Sequence, residues 1–168
     1  MSTTDSTTSA AARQRFLARI NRPWLMRLFF LRQLPTLLWW GVRVVRVTEQ
    51  TGQVALPYGK RTQNPFRSTY FAAQAGAAEL STGLLAMTHL EGQPRVSMLV
   101  TQLTGIYTKK ADSRITFTCQ DGDRFAAIIA AAVATGDPQT LTALSIGTLA
   151  DGTEVSRHEV TWSFKRKR

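Results

Sequence analysis

From Ser68 to Thr88 the chain carries one charged side chain, Glu79. The stretch Tyr70-Phe71-Ala72-Ala73-Gln74-Ala75-Gly76-Ala77-Ala78-Glu79-Leu80-Ser81-Thr82-Gly83-Leu84-Leu85-Ala86 reads as one helix with apolar residues on nearly every side. A helix apolar all round is a buried helix. Its Ala- and Gly-rich middle lets neighbouring backbones approach closely, so the rest of the chain is constrained to wrap around it. A lone carboxylate in such a helix is costly unless it has a partner or a job. Glu79 therefore has two readings. Either it is a general base whose pKa is raised by burial, or it sits at the helix edge, reaching solvent or a neighbouring arginine.

The flanking sequence supplies the wrapping. Residues 11–34 read as helical, with Phe16, Ile20, Trp24, Leu28 and Leu31 on one face, arginines on the others, and a break at Asn21-Arg22-Pro23. Pro23 opens the second piece and Pro35 a further short segment through Trp40. A basic amphipathic helix of this kind either lies on a membrane surface or packs its apolar face on its own domain. Val42–Val47 and Gln53–Leu56 read as a strand pair joined at Thr51-Gly52. A polar loop from Gly59 to Pro65 leads into the central helix, with Ser68 or Thr69 as its cap. Val96–Thr108, Ile115–Cys119, Leu141–Leu149 and Val155–Phe164 read as strands. A second helix spans Phe125–Thr135, and Asp151-Gly152 marks a hairpin. The expected class is α+β, a curved antiparallel sheet around one long helix. Residues 1–10 read as a disordered polar tail, and 11–168 as a single domain with an N-terminal helical extension over 11–40.

Charge and inventory exclude several functions. The net charge is +10. From Arg13 to Arg67 there are eleven basic residues against one acid, Glu49, and the chain ends in Lys165-Arg166-Lys167-Arg168. This balance favours anionic partners, or serves solubility alone. Cys119 is the only cysteine and His89 and His158 the only histidines, so no internal disulfide and no metal site are expected. Neither histidine sits in a nucleophile-elbow context. Arg27, Arg32 and Pro35 interrupt the apolar run Leu25–Val42, so a membrane-spanning helix is not expected. Without a signal segment or cysteine framework the expected location is cytoplasmic. No nucleic-acid-binding motif is present, and nucleic acid is not an expected partner.

One segment resembles a known signature. Asn64-Pro65-Phe66-Arg67-Ser68-Thr69-Tyr70-Phe71-Ala72, followed by Glu79, is similar to the pattern of hotdog-fold acyl-CoA thioesterases, N-x-x-G-x-x-H-G-G and then a carboxylate on the next helix. Leu56-Pro57-Tyr58 before the Asn and Gly83 after the carboxylate also match. The resemblance covers residues 34 to the C-terminus and points to an uncharacterised, thioesterase-like branch. The departures are Arg67 at the loop glycine, Tyr70 at the histidine, and Phe71 and Ala72 at the glycine pair.

What the resemblance implies is a hotdog fold and hydrolysis of an acyl thioester, coenzyme A being part of the substrate rather than a cofactor. Glu79 would activate the water. Asn64 would orient the water or thioester, or else serve the turn before Pro65. The start of the central helix, Tyr70, Phe71 and Ala72, would stabilise the oxyanion. Tyr70 would donate to the substrate carbonyl in place of the histidine, or anchor the helix in the core. Lys60, Arg61 and Arg67 would meet coenzyme A phosphates, or remain solvated loop charges. The resemblance also implies a homodimer or dimer of dimers, with the site at the subunit interface. The alternative is a non-catalytic acyl-CoA or fatty-acyl binding protein, consistent with the missing His-Gly-Gly. A hydratase of the same fold would need an Asp-His pairing that the sequence does not display. A third possibility is peripheral membrane contact through the basic N-terminal helix.

Overall fold

The computed structural model describes residues 3–167. Eleven elements follow in chain order: α1 Thr3–Ile20, α2 Pro23–Gln33, α3 Pro35–Trp40, β1 Arg43–Val47, β2 Gly52–Leu56, α4 Phe71–Leu90, β3 Val96–Tyr107, β4 Ile115–Cys119, α5 Gly122–Thr135, β5 Gln139–Thr148 and β6 Glu154–Arg166. The strands form one antiparallel sheet in the order β1-β2-β4-β5-β6-β3. It curves around α4, which packs on β2, β4, β5 and β6. This is the α+β arrangement expected.

Alternation makes the sheet one-sided. Ile115, Phe117 and Cys119 on β4, Leu141 and Ala143 on β5, and Val160, Trp162 and Phe164 on β6 are buried, with exposed or half-buried residues between them. Small residues set the distance between the layers. A Cβ built at Gly52 on β2 would stand 2.3 Å from the Ser81 carbonyl oxygen of α4, so β2 can lie this close only as glycine. Helix α5 closes one flank, packing Phe125 edge-on to Phe164 with ring centroids 6.1 Å apart.

On the other flank the prolines divide the N-terminal helices as expected: Pro23 and Pro35 open α2 and α3. The Asn21 side chain holds the α1–α2 junction to β1, donating to the Val47 carbonyl at 2.8 Å and accepting from its N–H at 2.8 Å. The break resets the helical phase, which corrects the single apolar face expected here. Phe16 and Ile20 of α1 are buried, and α2 turns Met26 and Phe30 inward, while Trp24, Leu28 and Leu31 point outward.

Two further expectations are corrected. The segment 1–10 was expected to be a disordered tail. Residues 1–2 lie outside the described residues, but from Thr3 the segment is helical, extended by the helix-forming Ala10-Ala11-Ala12. Ser9 Oγ also reaches the Glu91 carbonyl at 3.4 Å. Neither Ser68 nor Thr69 caps α4. The cap position is Tyr70, with no side-chain hydrogen bond, because Thr69 Oγ1 donates instead to the Ala111 carbonyl at 2.9 Å.

Candidate active site

The loop before α4 is built on Asn64. Its Oδ1 accepts from the backbone N–H of Phe66 at 3.0 Å and of Ser68 at 3.1 Å. Its own N–H donates to the Ser68 carbonyl at 2.8 Å, and its carbonyl accepts from Arg67 N–H at 3.0 Å. The side-chain oxygen thus closes the turn. Arg67 lies inside that turn at φ 58°, the one non-glycine described residue with positive φ. The left-handed conformation favours glycine, and this is the position where the thioesterase signature carries one. The loop is tied down by Thr69 N–H donating to the Ala111 carbonyl at 2.7 Å and Tyr70 N–H to Thr62 at 2.6 Å.

Helix α4 then starts with Phe71 and Ala72, whose N–H groups find no acceptor among the described residues. Such groups carry the positive end of the helix dipole. Tyr70 and Phe71 are exposed, their rings edge-on at 4.9 Å, so Tyr70 does not anchor the helix in the core. Beside them, the Tyr107 hydroxyl of β3 donates to the Phe71 carbonyl at 3.4 Å. It also lies 3.2 Å from Nε2 of the fully buried His158 on β6. With the hydroxyl donating to Phe71, His158 donates through Nε2, and its buried Nδ1 has no partner. Burial pushes the His158 pKa down to about 4, so the ring is neutral.

Below this layer Gln74 bridges α4 to the sheet. Its Nε2 donates to the Thr69 carbonyl at 3.1 Å and its Oε1 accepts from Ser156 Oγ at 2.9 Å. Tyr107, His158, Gln74 and Ser156 were not anticipated. Ser156 and His158 obey the strand alternation of β6 and read in sequence as ordinary inward positions; only β3 pairing with β6 brings Tyr107 to them.

Glu79 lies two turns further along α4, half-buried, with no hydrogen-bond or ion-pair partner for its carboxylate among the described residues. Burial raises its pKa above the ordinary carboxylate range. A Cβ at Gly83 would stand 3.8 Å from Glu79 Oε1 and 3.3 Å from Trp162 Cζ2, so Gly83 keeps open the space between carboxylate and indole. The indole is fixed by Nε1 donating to Thr82 Oγ1 at 2.9 Å, and that hydroxyl donates to the Glu79 carbonyl at 2.9 Å.

Phe71 and Glu79 are eight residues apart, roughly 12 Å along the helix at about 1.5 Å per residue. Lys60, Arg61 and Arg67 are exposed, and the Arg61 guanidinium lies over the Trp39 ring at 5.5 Å, which draws it toward α2 and α3. No group of three or more His, Cys, Asp or Glu side chains converges among the described residues.

A long helix wrapped by a six-stranded antiparallel sheet, entered through a tight asparagine loop, defines a hotdog-fold protein. The chain belongs to the family described as Domain of unknown function (DUF4442), whose pattern matches residues 22–164. Its fold is similar to that of PA5026 from Pseudomonas aeruginosa, a protein of unknown function described as a probable thioesterase. The TM-score is 0.72 at 17% identity, covering 85% of this chain and 95% of that one. It is also similar to the thioesterase HI1161 of Haemophilus influenzae, with TM-score 0.63, 14% identity, and 83% and 88% of the two chains covered. A third likeness is to the thioesterase SAV0944 of Staphylococcus aureus, with TM-score 0.57, 11% identity, and 77% and 97% covered. No curated protein matches the chain in sequence.

Proposed function

We propose that this protein hydrolyses acyl thioesters, acyl-CoA being the substrate class. The observation that carries the reading is Glu79: an unpaired carboxylate of raised pKa on the central helix, at the position of the signature carboxylate. A carboxylate in that setting removes a proton from water as the water attacks the thioester carbonyl. The Phe71 and Ala72 N–H groups donate to the oxyanion that develops. The tetrahedral intermediate then collapses with cleavage of the C–S bond, the proton held by Glu79 passes to the departing sulfur, and thiol and fatty acid are released with the carboxylate restored.

The separation of roughly 12 Å between the helix start and Glu79 supports a homodimeric site, in which the carboxylate of one subunit serves the helix start of its partner. Strand β3 supports the same reading. It forms one edge of the sheet and exposes Leu99 (64% exposed) and Ile106 (52%), an edge that invites pairing with a second copy. Asn64 shapes the loop rather than the water, since both lone pairs of Oδ1 are engaged by backbone N–H groups. This occupied oxygen favours the second reading, an acyl-binding protein without turnover.

Purified protein screened against short, medium and long acyl-CoA thioesters with a free-thiol readout tests the proposal. Turnover is expected to rise with pH through a pKa above the usual carboxylate range, and to vanish in Glu79→Gln. The same variant is expected to be more stable than wild type at neutral pH. A carboxyl whose pKa is raised on folding disfavours the folded state once ionised, so the gain should shrink as the pH falls through that pKa. Turnover retained in Glu79→Gln refutes the role of the carboxylate. No turnover on any substrate, with fatty acid or acyl-CoA co-purifying, selects the binding protein.

A further inference from the structure

We infer that α2, with α3 and β1 beside it, forms a docking surface for the phosphate layer of an anionic lipid bilayer. The inference is independent of Glu79. Helix α2 buries only Met26 and Phe30 and leaves Trp24 (63% exposed), Leu28 and Leu31 (60%) outside. At 3.6 residues per turn these three fall within an arc of roughly 60°, and Arg27 and Arg32 stand on either side of it, roughly 60–80° from Trp24. An outward apolar stripe flanked by exposed arginines is the pattern of a helix lying in a membrane interface. No helix among the described residues is long and apolar enough to cross a bilayer.

Two cavities flank the stripe, and both carry cations. One, of about 350 Å³, lies between α1, α2 and α4. Phe16, Ile20, Met26 and Met87 line it, with Arg19 and Arg32. The other, of about 360 Å³, lies between α2, β1 and the loop after β2, and brings together Arg27, Arg43 and Arg61 around Met26 and Phe30. None of these five arginines has an ion-pair partner among the described residues. Between Asp5 and Glu49 the sequence has no acid at all. Trp39, exposed on α3 under the Arg61 guanidinium, extends the surface with a further amphipathic ring.

Charge complementarity therefore selects a polyanionic, apolar-backed occupant. Phosphodiesters at the headgroup level with acyl chains beneath meet both demands, whereas a free phosphorylated solute leaves the Trp-Leu stripe in water. A second copy of the chain carries the same arginines and would repel itself here. Helix α2 also packs on β1, at the sheet edge opposite β3, so dimerisation across β3 leaves this surface open.

Co-sedimentation of the full chain with vesicles of phosphatidylcholine, alone and with phosphatidylglycerol, at low and high salt, tests the inference. Binding is expected only with the anionic lipid, and is expected to weaken in high salt. Replacing Arg27→Gln with Arg43→Gln should lower partitioning about thirtyfold. Replacing Trp24→Ser with Leu31→Ser should lower it by about tenfold or more. The exposed pair Arg124→Gln with Arg166→Gln, on α5 and the end of β6 that packs against it, should leave it unchanged. All these positions are exposed, and far-UV circular dichroism checks that each variant is folded. Four results would overturn the inference: no vesicle binding; equal loss with the control pair; binding of pyrophosphate or an oligonucleotide in place of vesicles; or a dimer that Trp24→Ser dissociates.

Discussion

Adding one methyl group at Gly52 should separate the sheet from its helix. The Cβ of Gly52→Ala would fall 2.3 Å from the Ser81 carbonyl oxygen, where ordinary contact begins near 3.4 Å. About 1 Å must therefore open between β2 and α4. The obstructing atom belongs to the backbone of a buried helix and cannot swing away as a flexible side chain would. Overpacking of this kind costs up to about 3 kcal/mol. The φ of Gly52 is not in the left-handed region, so alanine fits the local backbone and recovers about 0.4–1 kcal/mol through the unfolded chain. The net expectation is a loss of about 2 kcal/mol, or a Tm lower by roughly 4–8 °C for a domain of this size. Gly59 supplies the control: its φ is equally ordinary, but a Cβ there meets nothing within 4 Å. Gly59→Ala should be neutral or stabilising by up to about 1 kcal/mol. Urea midpoints and thermal scans of both variants measure the difference. A Gly52→Ala protein as stable as Gly59→Ala would refute the claim that glycine sets the spacing between the two layers.

Three other outcomes are expected. Thr82→Val removes the acceptor of the buried Trp162 Nε1–H and should cost about 1–3 kcal/mol, whereas Thr82→Ser keeps it and should cost less; equal urea midpoints for the two would disprove the bond's contribution. His158 is held neutral by burial, with its pKa lowered from 6.5 to about 4. Its contribution to stability is therefore complete above pH 6.5 and declines as the pH falls toward 4. That decline should be absent from His158→Gln when midpoints are followed down the same range, and parallel acid curves for the two proteins would refute the assignment. Cys119 is buried and its thiol pushed up to about 12, so the native protein should not react with a disulfide reagent at mildly alkaline pH and should release one thiol on unfolding. Rapid labelling of the native protein would contradict that burial.

Periodicity made most of the architecture legible. The charge-free run around Glu79 is α4, the β-branched alternations are strands, and Pro23 and Pro35 start helices where φ is already fixed for them. Tyr70, Phe71 and Ala72 do meet at a helix start. Local rules failed where a residue's partner is distant. Thr69 was expected to cap a helix and instead binds Ala111, forty-two residues away.

The sequence by itself determined the elements and the one buried helix, because hydrophobic period, proline and glycine act within a few residues of chain. It also determined the basic N-terminal third, since charge is a property of composition. Tertiary structure alone decided which groups share a site. Strand β3 crosses to the far edge and pairs with β6, placing Tyr107 against His158 and the start of α4. The proline break turned half of one apolar face inward and the other half outward. Both are consequences of packing between segments far apart in the chain, where the free energy of burying one face against another overrides the local pattern that created it.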